Sequence, residues 1–404
     1  MKYDFDTVFD RRATDSLKWA GRADLPDSGN LLPLWVADMD FACPPEVADA
    51  VRLRAEHPIY GYPARSEGYY RSVVNWMERR HGWKVEKDWI EFAPGVVPAL
   101  NFAVQAFSGP GDGIIIQPPV YLPFRSALQQ NGRRIIENPL VLKNGRYVMD
   151  IPGLEACVDA GTKALILCSP HNPVGRVWER SELESVVGIC HRHRLVLISD
   201  EIHSDLILGN SRHICAASLS DKAAEITVTL TAANKTFNIA GLAMANVITS
   251  NPDLRERFAA AIARSGISVS PVFGNIAVEA AYEKGEAWLE QLLSYLAANH
   301  VFARKFLTER LPELVPCLLE GTYLLWIDCS ALGLDDQKLK DFFLKKAGVW
   351  LDEGTKFGTG GSGFMRMNFA CPRTILSEAL ERIETAVKRA YPRERVSSRA
   401  KEMT

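Results

Sequence analysis

The sequence is short of several things, and each shortage narrows what it can be. No apolar run reaches the roughly 18 residues that a membrane-spanning helix needs. No basic block occurs either: 47 Lys and Arg face 49 Asp and Glu, for a formal net charge of −2. Without one, there is no electrostatic footprint for nucleic acid or for an anionic membrane surface. The eight cysteines, at positions 43, 157, 168, 190, 215, 317, 329 and 371, include no CxxC pair. They offer neither a zinc site nor a disulfide frame, and several sit in apolar runs such as ALILCSP, where Cys behaves as a small core residue. The N-terminus, MKYDFDTVFDRRATDS, lacks the apolar segment of a secretory leader. The expectation is a reduced, cytoplasmic protein without a metal, a membrane or a nucleic-acid partner.

What is present is an ordinary soluble composition, 47% hydrophobic and 24% charged, over 404 residues. That length exceeds one small core and allows two domains. The stretches 113–119, 133–140, 163–170, 194–201, 225–232 and 243–250 are short apolar runs that read as strands, joined by amphipathic stretches such as RSELESVVGICHRH (180–193). Near-continuous Val, Ile and Leu mark strands buried on both faces, hence an α/β fold with a mainly parallel sheet between helix layers. After about residue 290 a long helical stretch, two or three short strands and a final helix suggest a smaller α+β domain. The tail PRERVSSRAKEMT is charged and expected to fray.

Polar residues cluster at the strand ends, where open α/β sheets place ligands. KALILC leads into SPHNPVG with Asn172, RLVLIS into DEIHSD with Asp200 and His203, and EITVTL precedes TAANKTFNIAGL with Lys235. WIEFAPGVVPAL turns at Gly95 into a helix, whose N-terminus suits an anion. Singly, each has an ordinary explanation: a cap, a turn asparagine, a solvated lysine. Together they match one ligand that needs a carboxylate for a ring nitrogen, a donor for a phenolic oxygen, an anion cradle and an amine. That ligand is pyridoxal 5′-phosphate (PLP).

In these motifs, and in PLWVADMDF (33–41), YGYPARSEGY (60–69), PGDGIIIQPPVYLPF (110–124) and GFMRMNFACPR (363–373), the sequence resembles the fold-type I PLP enzymes. Within them it is most similar to the MalY/PatB-type cystathionine β-lyases. The resemblance implies a three-layer αβα large domain at 51–290, a small domain at 291–404, and a segment at 1–50 packed on the small domain and active site. It implies a homodimer with active sites at the interface, a small amino-acid substrate, and cleavage of L-cystathionine or related cysteine S-conjugates to thiol, pyruvate and ammonia. An aminotransferase is the alternative on the same scaffold; a racemase or a regulator that kept the fold stays open.

Residue by residue, the resemblance implies that Lys235 carries the cofactor and acts as base. A free lysine is neutral in only about one molecule in 2,500 at pH 7, and sparse charge around Lys235 suits a lowered pKa. Asp200 would pair with the ring nitrogen, Asn172 with the phenolic oxygen, and Tyr121 would stack on the ring and assist catalysis, with His203 near the ring oxygen. Gly95, Val96 and Val97, with Asn234 and the neighbouring subunit's Tyr62, would hold the phosphate. Arg366 would bind the substrate carboxylate, and the backbone at Ala37 and Asp38 would line the pocket. Two departures stand out: Asn234 where the family commonly has serine, and Ala243 where many aminotransferases have arginine.

Overall fold

The chain is described from a computed structural model over residues 2–20 and 30–391. The apolar runs become strands β1 (Ile90–Ala93), β2 (Gly113–Ile116), β3 (Arg134–Glu137), β4 (Thr162–Cys168), β5 (Val196–Asp200), β6 (Thr227–Thr231) and β7 (Ala245–Ile248). They form one sheet in the order β1-β7-β6-β5-β4-β2-β3. Only β7 runs antiparallel to its neighbours. Two strands stop short of the expected ends because proline cannot donate to a ladder: β2 ends before Pro118 and Pro119, and β4 before Pro170.

The side chains of each strand divide between two faces. Ile114 and Ile116 of β2 pack with Phe102 and Val104 of helix α1 (Val96–Phe107) and Phe258 of α3 (Pro252–Arg264). Ile115 points the other way, into a cluster with Val186 and Cys190 of α2 (Arg180–Arg192). All three isoleucines are fully buried, as a sheet between two helix layers requires.

A long helix, α4 (Glu286–Arg310), leads to a second sheet, β8 (Val315–Pro316), β9 (Leu324–Asp328), β10 (Asp352–Glu353) and β11 (Phe364–Asn368), followed by α5 (Arg373–Ala390). This sheet is antiparallel, in the order β8-β9-β11-β10. The N-terminal stretch joins it: Leu32–Pro33 pairs in parallel with Val349–Trp350, and Asn368 N donates to Leu34 O at 2.9 Å. From there residues 35–38 run to the ends of the large-sheet strands. The tail expected to fray lies outside the described residues. No helix among the described residues is long and apolar enough to cross a membrane.

Candidate active site

β4 and β5 are parallel neighbours, and their last residues, Cys168 and Asp200, are in register. β6 ends beside them and passes into the short helical turn Ala233–Thr236. The chain leaving β1 turns at Gly95, φ +124°, and enters α1; a side chain would strain that backbone. The result is a cavity of about 190 Å³ at the carboxyl ends of the central strands. Ten of the residues singled out from sequence line it: Ala37, Gly95, Val96, Val97, Tyr121, Asn172, Asp200, His203, Asn234 and Lys235.

Asp200 sits at its floor, buried, with Ile202 N donating to Oδ1 at 3.2 Å. Burial pushes its pKa up to about 7, with the Glu201 charge adding to the effect. A buried carboxylate so placed calls for a cationic partner. Lys235 is on the opposite footing. Burial lowers its pKa to about 8, helped by the Arg366 charge, while Asp38 and Asp200 hold it up. At that value about one amine in ten is neutral at pH 7, roughly 200-fold more than for a free lysine. Its Nζ donates to the Ala37 carbonyl.

Asn172 is buried, and its Oδ1 accepts from Arg366 Nη1 at 3.0 Å. Tyr121 caps the start of the helix Leu122–Gln130, its backbone N bonded to Asn172 O at 3.1 Å. Burial raises its phenol pKa, so it stays a hydroxyl. His203 is buried, and desolvation first, then the Lys235 and Arg366 charges, lowers its pKa to about 3. It is therefore a neutral imidazole, and its Nδ1 has no protein partner. Asn234 Oδ1 is likewise buried without a partner; an amide flip exchanges oxygen and nitrogen there, so either can meet a ligand. α1 has no side-chain cap, which leaves its first N–H groups available to an anion. Ala243 has φ +53° and supplies no charge; among the described residues no arginine lines the cavity.

Three singled-out residues lie elsewhere. Arg366 is buried and does not itself line the cavity, but its Nη1 donates to Asn172 Oδ1, which does. Asp38 turns its carboxylate to Arg11 at 2.6 Å and Lys18 at 3.5 Å, while its neighbour Ala37 lines the cavity. Tyr62 is 95% exposed and does not line the cavity of its own chain. Conversely, Pro98, Cys168, Ile202 and Ala240 complete the lining, and Tyr323, which was not singled out, donates to Ala37 O at 2.8 Å.

The model of the family described as aminotransferase class I and II matches residues 30–383. The cystathionine beta-lyase PatB of Bacillus subtilis is 44% identical over 384 residues, covering 95% of this chain and 99% of PatB. The protein MalY of Escherichia coli is 31% identical over 389 residues, covering 96% and 99%. The crystal structure of cystalysin from Treponema denticola, which contains pyridoxal 5′-phosphate, superposes with a TM-score of 0.93 at 41% identity, over 96% of this chain and all of that one. The chain belongs to the class I and II aminotransferases of fold type I, in the group that includes PatB, MalY and cystalysin.

Proposed function

We propose that the chain is a PLP-dependent carbon–sulfur β-lyase that cleaves L-cystathionine or a related cysteine S-conjugate to a thiol, pyruvate and ammonia. The observation that carries this is the convergence of Asp200, Asn172, Tyr121 and Lys235 on one cavity that opens at an uncapped helix start. The donor set fits PLP: a buried carboxylate short of a cation, an amine whose pKa is lowered to about 8, and the unpartnered atoms of His203 and Asn234. The names of PatB and cystalysin's bound cofactor support the same reading.

Asp200 would hold the ring nitrogen, Asn172 the phenolic oxygen, Tyr121 the ring face, and the first N–H groups of α1 with Asn234 the phosphate. When bound, PLP supplies an aldehyde for the substrate amine and an electron-withdrawing ring that makes the Cα proton acidic. Arg366 binds the substrate carboxylate by charge-assisted hydrogen bonds and so fixes which Cα bond faces the base. Lys235, as the neutral amine, takes the Cα proton. The departing sulfur then receives a proton from the resulting ammonium or from the Tyr121 hydroxyl.

We further propose a homodimer in which Tyr62 reaches the partner's phosphate site. Leu53, Ile59, Tyr60 and Tyr62 are all more than half exposed, within ten residues of sequence. The domain limits proposed are 1–50, 51–290 and 291–404. All eight cysteines are free, which fits a reducing cytoplasm.

The test is a panel of cystathionine and other cysteine S-conjugates on the purified enzyme, scoring pyruvate and amino-group transfer side by side. Pyruvate from a thioether supports the lyase. Transfer to a keto acid without pyruvate would identify an aminotransferase.

A further inference from the structure

Thr322 holds φ +71° although it is β-branched and fully buried. Left-handed backbone at such a residue is costly and persists only where the surroundings enforce it. Here Thr322 N donates to Leu206 O at 2.7 Å, and Leu324 N donates to Thr322 Oγ1 at 3.2 Å. The turn aims the next residue. Tyr323 is fully buried, its ring lies 6.0 Å from that of His203, and its hydroxyl donates to Ala37 O at 2.8 Å.

Lys235 Nζ donates to that same carbonyl. A carbonyl has two lone pairs, and these two donors use both. Ala37 is fixed on either side, because Asn368 Nδ2 takes Val36 O at 2.7 Å and Asp38 O at 2.6 Å. The oxygen is therefore a rigid point at which hydroxyl and amine meet, about 5 Å apart at most.

We propose that Tyr323 is a positioning residue for Lys235: its hydroxyl occupies half of the Ala37 carbonyl, so that this acceptor steadies the amine without trapping it as an ammonium ion. The inference rests on Lys235 being the cofactor lysine. The other groups facing the amine are Asp38 and Asp200, which favour the ammonium, and Arg366, which opposes it. His203 and Tyr121 are uncharged there. Tyr323→Phe alters none of these and keeps the ring that packs.

The experiment is the rate at which the cofactor-free chain captures PLP, followed by absorbance from pH 6.5 to 10. Tyr147→Phe is the control, since it removes a buried hydroxyl bonded to Trp326 Nε1 at 3.2 Å outside the cavity. In Tyr323→Phe the carbonyl is left to the amine alone, so the midpoint of the profile should rise by about 0.5–1 pH unit. Capture at pH 7.5 should slow about 3–10-fold, and kcat should fall in proportion with KM unchanged, while Tyr147→Phe leaves the profile in place. A wild-type profile that Tyr323→Phe does not move overturns the inference alone. A wild-type chain that captures no PLP at any pH overturns the cofactor reading and this inference with it.

Discussion

Asp352 and Arg366 face each other across antiparallel β10 and β11, with Asp352 Oδ2 2.7 Å from Arg366 Nη2. The other Asp352 oxygen takes Lys356 Nζ at 3.1 Å, so the carboxylate lies between two cations. Arg366 Nη2 also donates to Trp35 O at 2.7 Å, and Nη1 to Asn172 Oδ1 at 3.0 Å. The guanidinium carbon stands 4.9 Å from the centre of the Phe357 ring. Nε is buried without a partner. The guanidinium is thus oriented before a substrate arrives, which lowers the ordering cost of binding a carboxylate.

Asp352→Asn keeps a side-chain acceptor but removes the charge that holds Arg366. The expected outcome is a rise in KM for amino-acid substrates of about 3–10-fold, with kcat changed less than about 2-fold. Steady-state kinetics check this. An equal fall in kcat and kcat/KM would instead make the contact one that matters only in the transition state.

Asp200 predicts a pH-dependent conflict between stability and function. Its folded pKa, about 7, lies above the ordinary aspartate value of 3.8, so between these values the folded chain binds more protons than the unfolded one. Stability from this group is present below pH 4 and is lost as pH rises through 7. Asp200→Asn, prepared without cofactor, should therefore unfold on the order of 5 °C higher than wild type at pH 8 and nearly level with it at about pH 4. The same variant should bind PLP much more weakly. Thermal unfolding at the two pH values decides the matter; an advantage at pH 8 that persists undiminished at low pH would rule out the Asp200 charge as its source.

Lys18 ties the N-terminal segment to the site. Its side chain is fully buried, 2.7 Å from Asp40 and 3.5 Å from Asp38, and Arg11 holds the same two carboxylates at 2.7 and 2.6 Å. Lys18→Met removes one partner and leaves the carboxylates under-compensated, a change that costs about 3–5 kcal/mol where an ion pair is fully buried. The urea midpoint should fall accordingly. KM should rise as well, because the loosened stretch carries Ala37. A variant as stable as wild type would show that Arg11 alone suffices.

Much of the site was legible because chemistry and strand ends coincide. Asn172, Asp200 and Lys235 each follow an apolar run, and the carboxyl ends of parallel strands open on one edge, so three sequence positions became one place. The strands themselves were legible for a related reason: Ile114 to Ile116 are apolar without alternation because both faces are buried. Asp352 carried no such signal. Its two-residue strand is too short for periodicity, and its meaning lies in its register with Arg366. Tyr323 was hidden because a left-handed Thr322, which no propensity favours, sets its direction.

Tyr62 allows the proposed dimer to be tested by mixing. It is 95% exposed, and its neighbour Tyr60 packs at 5.8 Å on Phe273. A solvent-facing tyrosine in an apolar stretch does nothing for its own cavity, yet it suits a partner's. Tyr62→Ala should weaken PLP binding, and Lys235→Ala should abolish turnover. In a two-fold dimer with shared sites, a hybrid of the two variants contains one site with both residues intact. At a PLP concentration too low to load Tyr62→Ala, mixing equal amounts of the two homodimers under subunit exchange should thus restore about one quarter of wild-type activity, one native site in every statistical pair of dimers. An affinity tag on one variant, with co-purification of the untagged other, confirms that exchange occurred. If activity stays at the level of the separate variants once hybrids have formed, Tyr62 serves its own chain or none.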